Sequence, residues 1–176
     1  MSDLHEPNRP GGHDNPGGPL EPFHPLVRRW FLETYRSPTG IQRLAWPAVA
    51  RGEHVLLTAP TGSGKTLTAF LWAIDGLITG RLEPGTVRVL YVSPLKALNT
   101  DIRRNLLSPL STLEARFRAE RESFPEIRVL TRSGDTPQDE RRRMVKRPPE
   151  ILITTPESLN LILSAKTARR MLEGVR

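Results

Sequence analysis

The stretch that decides the fold is His54-Val55-Leu56-Leu57-Thr58 followed by Ala59-Pro60-Thr61-Gly62-Ser63-Gly64-Lys65-Thr66. The first five residues read as a short buried strand, and a helical pattern runs from Lys65 to about Ile78. Between them lies a turn that fits the phosphate-loop template, with Ala59 where the template has its first Gly. Small residues let consecutive backbone N–H groups turn inward around the β- and γ-phosphates, and the positive end of the following helix faces the same anions. Each residue type has a task. Lys65 adds a point charge, Thr66 offers a hydroxyl to Mg2+, and Gly62 and Gly64 relieve the side-chain penalty where the chain passes close to phosphate oxygens. A small residue, four free positions and Gly-Lys-Ser/Thr arise by accident in roughly one chain in a hundred of this length. A strand before and a helix after make accident rarer, so a nucleotide site is expected at Ala59, Pro60, Thr61, Gly62, Ser63, Gly64, Lys65 and Thr66.

The order of strand, loop and helix recurs on both sides of this turn. Upstream, Leu26, Val27, Trp30 and Phe31 recur at helical spacing, and a second helix carries Ile41, Leu44, Ala45 and Val49 after the break at Ser37-Pro38-Thr39-Gly40. Downstream, Val87 to Val92, Ile127 to Thr131 and Ile151 to Thr154 read as strands. Leu95 to about Phe117 reads as a helix with a break at Pro109, Gln138 to Val145 as a polar helix, and Glu157 toward Glu173 as a helix interrupted near Ser164 to Lys166. Alternation of this kind predicts an α/β domain with a mostly parallel sheet. Trp30, Trp46 and Trp72 fall in apolar helical stripes and are assigned to the core.

Composition bounds what such a domain can be. The chain has 176 residues, no Cys and a formal net charge of +7. Disulfides and thiolate chemistry are excluded, and a reducing, cytoplasmic compartment is expected. No apolar run approaches the length of a membrane span, so no membrane partner is expected. Residues 1 to 25 hold Arg9 against Asp3, Glu6, Asp14 and Glu21, with six Pro and four Gly, and residues 1–22 are read as a disordered acidic tail. The remainder has 25 basic residues against 15 acidic, and 22 of the chain's 26 basic residues are Arg. Such an excess suits a polyanion, although a coding bias toward Arg explains it equally well.

Several ordered segments together carry a family resemblance. Ser37-Pro38-Thr39-Gly40-Ile41-Gln42 and Ala59 to Thr66 resemble the Q motif and motif I of superfamily 2 DEAD/DEAH-box helicases. Ala45-Trp46-Pro47, Ser93-Pro94-Leu95-Lys96-Ala97-Leu98-Asn99, Arg132-Ser133-Gly134-Asp135-Thr136-Pro137 and Ile151 to Leu159 are closer to the large-helicase-related (Lhr) branch. The resemblance implies a RecA-like phosphate-loop domain over residues 23–176, with ATP and Mg2+ as ligands and a nucleic acid, single strand or duplex, as partner. It implies that Gln42 selects adenine, since a carboxamide both accepts from the exocyclic amine and donates to a ring nitrogen. Phe23, Phe31 and Tyr35 are candidates to stack on the base, and Phe31 is also a natural core residue. Ser93, Pro94, Leu95, Lys96, Ser133, Gly134, Thr155, Glu157 and Ser158 would hold the sugar-phosphate backbone, with Arg132 in the same patch. Thr154-Thr155-Pro156-Glu157 equally reads as a helix N-cap with Pro in the first turn. Arg141-Arg142-Arg143 with Lys146 and Arg147 reads as a solvated helix face or a nucleic-acid patch.

One element of the machinery is absent from the sequence. Hydrolysis needs a carboxylate on the Mg2+ shell and a second beside the attacking water, which helicases place in an Asp-Glu pair ending an apolar strand. The single such pair, Asp139-Glu140, lies in a polar helix, and Ile151-Leu152-Ile153 ends in Thr154-Thr155. The expectation is therefore a partial helicase domain ending before its acidic box, with no catalytic residue of its own and the rest of a helicase as partner. DNA repair is the role the resemblance suggests. A nucleotide- or nucleic-acid-binding module without hydrolysis is the alternative.

Overall fold

The computed structural model describes residues 18–94 and 102–175. Three helices build the first layer. In α1, Pro25–Tyr35, Pro25 stands in the first turn and His24 Nδ1 accepts the Leu26 N–H, while Leu26, Val27, Trp30 and Phe31 are buried. In α2, Gly40–Ala50, Thr39 and Gln42 form a reciprocal capping box, and Ala45 and Trp46 are buried. In α3, Lys65–Ile78, Leu67, Phe70, Leu71, Ile74 and Leu77 turn inward. Aromatic edges join the layer, with the ring centroids of Phe23 and Phe31 4.9 and 5.3 Å from Trp46. Trp46 Nε1 donates to the Thr68 carbonyl at 3.0 Å, tying α2 to α3. Trp30 and Trp46 are core residues; Trp72 is only partly buried, with the Arg81 guanidinium 4.1 Å over its ring.

The sheet has three parallel strands, β1 Val89–Val92, β2 Val129–Arg132 and β3 Ile151–Thr154, in the order β1-β3-β2. Central β3 is buried throughout, as a parallel strand covered on both faces requires. Its alternation divides the core: Ile151 and Ile153 join the cluster under α1 to α3, and Leu152 joins Val87, Ile162, Ala168 and Met171 on the other face. The connections are a π-helical turn, Arg103–Leu107, running into α4, Ser108–Ala119, and then α5, Gln138–Lys146. After β3 come α6, Pro156–Ser164, α7, Lys166–Arg169, and a 3-10 turn, Arg170–Leu172. Among the described residues no helix is long and apolar enough to cross a membrane.

At the amino-terminal edge of the sheet, Glu150 staples the three strands. It is 2% exposed, and its carboxylate accepts from the Gly85 N–H at 3.1 Å, the Arg128 N–H at 2.9 Å and the Arg128 guanidinium at 3.0 and 3.3 Å. Its carbonyl accepts from the N–H groups of Arg88 and Val89. Burial pushes the Glu150 carboxyl up, but these donors outweigh it and hold its pKa below the usual value.

Three expectations need correction. Residues 54–58 are not a buried strand: they have no regular secondary structure and carry no ladder, and Leu56 is 92% exposed. An apolar run signals burial, but a strand exists only where a neighbour meets its N–H and C=O groups, and the described strands pair only with one another. Leu20, inside the stretch read as tail, is buried in the core, and the Pro22 carbonyl accepts from Arg81. Pro109 does not break the helix; it stands in the first turn of α4, where its missing N–H costs nothing, and the irregular π-helical turn precedes it. The interruption near residues 164–166 is real, since Ala165 is extended between α6 and α7.

Candidate functional site

The phosphate-loop turn keeps its geometry without a flanking ladder. Gly62 and Gly64 have φ of 84° and 89°, in the left-handed region where a side chain is strained. A Cβ on Gly64 would lie 2.9 Å from Gln42 Nε2, so the glycine also makes room for the Gln42 carboxamide. Lys65 folds back along the loop, its Nζ donating to the Ala59 carbonyl and, at 2.8 Å, to that of Pro60. Ser63 Oγ is buried with no hydrogen-bond partner among the described residues. Thr66 is half-buried in the first turn of α3. Positive-φ glycines, an orphaned hydroxyl and a lysine resting on loop carbonyls fit a turn built to receive phosphate oxygens.

Gln42 is 2% exposed, buried beneath the turn and not on a solvated helix face. Its Oε1 accepts the Thr39 N–H at 2.9 Å, and Thr39 Oγ1 donates to the Ser63 carbonyl at 3.0 Å. The capping box of α2 is thus bonded to the phosphate-loop turn. Thr39 was missed as a site residue, although a Thr three positions before a Gln was a legible capping-box signal. Of the aromatic candidates for a base, Phe23 and Phe31 are 3% and 1% exposed within the core, and Tyr35 is 41% exposed.

Strand register brings the second group of residues together. Val92, Thr154 and Arg132 are level across β1, β3 and β2, so Ser93, Thr155 and Ser133 leave the sheet side by side at its carboxyl edge, where open α/β sheets bind ligands. The Ser93 N–H donates to the Thr154 carbonyl at 3.1 Å, and Thr154 Oγ1 donates to the Arg132 carbonyl at 2.8 Å. Thr155 caps α6, its hydroxyl accepting the Ser158 N–H at 3.3 Å, with Pro156 in the first turn, so the cap reading holds. Thr155 and Ser158 are buried, while Pro94, Gly134 and Glu157 are exposed. The Glu157 carboxyl is held below its usual pKa by its own backbone N–H and by the Thr155 hydroxyl. Leu95 and Lys96 lie outside the described residues.

The basic run of α5 divides by role. Arg141 points back to the loop before it, donating to the carbonyls of Thr136 at 2.7 Å, Ser133 at 3.4 Å and Gly134 at 2.6 Å. Arg143 pairs with Asp139 and Arg147 with Glu126. Arg142 and Lys146 are exposed and in no ion pair among the described residues. Asp139 and Glu140 are both exposed on this helix, far in kind from a buried strand end.

Comparison with known proteins shows the family and the fold of the chain. Residues 39–176 match the DEAD/DEAH box helicase family model. The chain is 49% identical over 163 residues to an Lhr helicase/probable uracil glycosylase of Mycolicibacterium smegmatis, covering 92% of this chain and 11% of the relative. It is 48% identical over 160 residues to the Lhr helicase/uracil glycosylase of Escherichia coli, covering 87% and 10%. Among solved structures, the Mycobacterium smegmatis helicase Lhr bound to ssDNA and AMP-PNP superposes with a TM-score of 0.82 at 49% identity, over 91% of this chain and 20% of that one. A DUF1998 helicase, MrfA, bound to DNA gives a TM-score of 0.60 at 26% identity, over 89% and 20%. The chain therefore spans between a tenth and a fifth of the length of these relatives.

Proposed function

This chain belongs to the DEAD/DEAH box helicase family, with its RecA-like α/β fold, and from that premise we propose that it is the nucleotide- and strand-binding part of an Lhr-like ATP-dependent helicase. The observation that carries the reading is the level carboxyl edge of β1, β3 and β2, which lines up Ser93, Thr155 and Ser133, together with a phosphate-loop turn bonded to the Gln42 box. Ala59 to Thr66 cradle the phosphates of ATP, with Lys65 as point charge, Thr66 toward Mg2+ and Gln42 on the adenine. When bound, Mg-ATP supplies the phosphoanhydride whose cleavage drives movement along the strand. Ser93, Pro94, Leu95, Lys96, Ser133, Gly134, Thr155, Glu157 and Ser158 hold the sugar-phosphate backbone by hydroxyls, helix-start N–H groups and one ammonium, which fixes position without reading sequence. The relatives' solved structures hold DNA, which supports a DNA track.

Within these 176 residues no strand ends in an Asp-Glu pair, so this chain's own groups bind ATP without positioning the attacking water. The test is binding of a fluorescent ATP analogue and of a labelled single strand to this chain, alongside Lys65→Ala. Nucleotide affinity is expected to fall at least tenfold in the variant, with loss of about 1.4 kcal/mol or more. ATP turnover by the wild type is expected to stay at background. Equal nucleotide affinity in the variant, or preference for GTP over ATP, would overturn the proposal.

A further inference from the structure

The outer face of α1 carries a groove. Pro25, Arg28, Arg29, Leu32 and Glu33 line a shallow cavity of about 550 Å3, and helical spacing puts Pro25, Arg28, Arg29 and Leu32 on one face. Its apolar part is formed by Pro25, which is exposed, and Leu32, which is 42% exposed. Two of its charges are already engaged, since Arg29 pairs with Glu120 and Glu33 with Arg116. Arg28 is different. Its Nε is shielded from solvent without a hydrogen-bond partner, and its guanidinium is in no ion pair among the described residues. A guanidinium nitrogen that has lost water without gaining an acceptor gains more from a carboxylate than a hydrated one does.

The sequence supplies a matching segment close by in the chain. The described residues begin at Gly18, whose carbonyl accepts from the Glu21 N–H, and α1 starts at Pro25. Residues 1–17 hold Asp3, Glu6 and Asp14 against Arg9, so their charge is opposite in sign to that of the basic remainder. Leu4 is their one branched aliphatic residue, and it stands between Asp3 and Glu6. In an extended segment residues two apart share a face, so Leu4 and Glu6 can meet an apolar surface and a guanidinium together. Asp14, between His13 and Asn15, has no aliphatic neighbour. The stretch from Leu4 to Gly18 reaches up to about 46 Å at about 3.3 Å per residue, whereas a folded unit of about 150 residues has a radius of gyration of about 15 Å. Length therefore permits the contact, and charge and apolarity select it.

We propose that this chain's own acidic tail occupies the α1 groove, with Leu4 against Pro25 and Leu32 and the Glu6 carboxylate on the Arg28 guanidinium. The tail is then a ligand of the domain, seated on the face of α1 opposite the buried Leu26, Val27, Trp30 and Phe31. Glu33 is the groove's own negative charge, and its pairing with Arg116 offsets the repulsion of an acidic occupant. Neither ATP nor a nucleic-acid strand takes part in the contact, so it stands or falls apart from the function proposed above.

The chain has no Cys, so Ser2→Cys places a single nitroxide label beside the segment in the full 176-residue chain. Paramagnetic broadening of backbone amide signals then maps where the tail rests. Broadening is expected to centre on residues 25–33. The docked population read from it is expected to fall about fivefold in Glu6→Gln and in Arg28→Gln, the worth of one partly exposed ion pair. Leu4→Ser is expected to abolish it. Glu6→Gln and Leu4→Ser lie outside the described fold, so they test the contact even where Arg28→Gln perturbs α1. Broadening that is absent, spread evenly over the basic surface or centred away from α1 overturns the docked tail, as does an unchanged pattern in Glu6→Gln or Leu4→Ser. Broadening that arises only between a spin-labelled chain and a separate isotope-labelled chain puts a second copy in the groove, and overturns it too.

Discussion

Replacing Glu150 by Ala should destabilise the fold more than any other single change at the sheet. The carboxylate is 2% exposed and receives two backbone N–H groups, from Gly85 and Arg128, and two bonds from the Arg128 guanidinium, whose side chain is 21% exposed. Truncation leaves both N–H groups without their acceptor, at about 1 to 3 kcal/mol for each that stays buried. Arg128 keeps bonds to the Pro148 and Arg147 carbonyls, so its charge is not wholly abandoned. Breaking a buried pair from one side costs about 3 to 5 kcal/mol, and that range is expected here. In urea, with a slope of about 2 kcal/mol/M, the midpoint should fall by about 1.5 to 2.5 M at constant slope. Glu150→Gln retains an acceptor and should lose about half as much. The pH dependence has a defined sign. The folded pKa lies below the reference value of 4.5, so the contribution is complete above that value and disappears as pH falls through the lower folded one. Glu150→Gln should flatten the acid limb. A loss under about 1 kcal/mol in Glu150→Ala, or an unchanged acid limb in Glu150→Gln, would refute the stapling argument.

Two further outcomes are expected away from this edge. Gly64→Ala puts a Cβ at φ 89° and 2.9 Å from Gln42 Nε2, which should cost about 1 to 2 kcal/mol and weaken ATP-analogue binding at least tenfold; equal binding would show that the turn does not depend on the glycine. Leu56→Ser should leave stability within about 0.5 kcal/mol, because the side chain is 92% exposed, and should lower light scattering at high protein concentration; a clear loss of stability would mean that Leu56 is buried in solution.

The helices were legible because their signals are local. Apolar spacing located α1, α2 and α3, and the Thr39 to Gln42 interval contained a cap that the structure forms. The strands were legible where the apolar run also had a neighbour: Ile151 to Thr154 is β3 to the residue, while the equally apolar Val55-Leu56-Leu57 has no ladder and lies open. A run of apolar residues states a preference for burial, and pairing is a property of two segments that no single segment records. Leu20 was obscured for the opposite reason. One apolar residue among Pro and Gly carries no period, yet it is buried in the core cluster just ahead of Phe23.

The same distinction separates the two halves of the candidate site. The phosphate-loop turn is contiguous, so its glycines, lysine and threonine are legible as one motif, and the structure adds its contacts, among them the bond from Thr39 to Ser63. The carboxyl edge is assembled from residues 93, 132–133 and 154–155, which become neighbours only through the register of three strands. Their chemistry changes on assembly. Arg141, one of three consecutive arginines and indistinguishable from the others in sequence, becomes the partner of three carbonyls, while Arg142 stays in solvent. Arg132 is placed by the resemblance in the strand-binding patch, but its burial is not legible in the sequence. Only the fold shows that it ends β2 as a buried side chain whose Nη1 has no partner among the described residues, a cost that no single segment of sequence records.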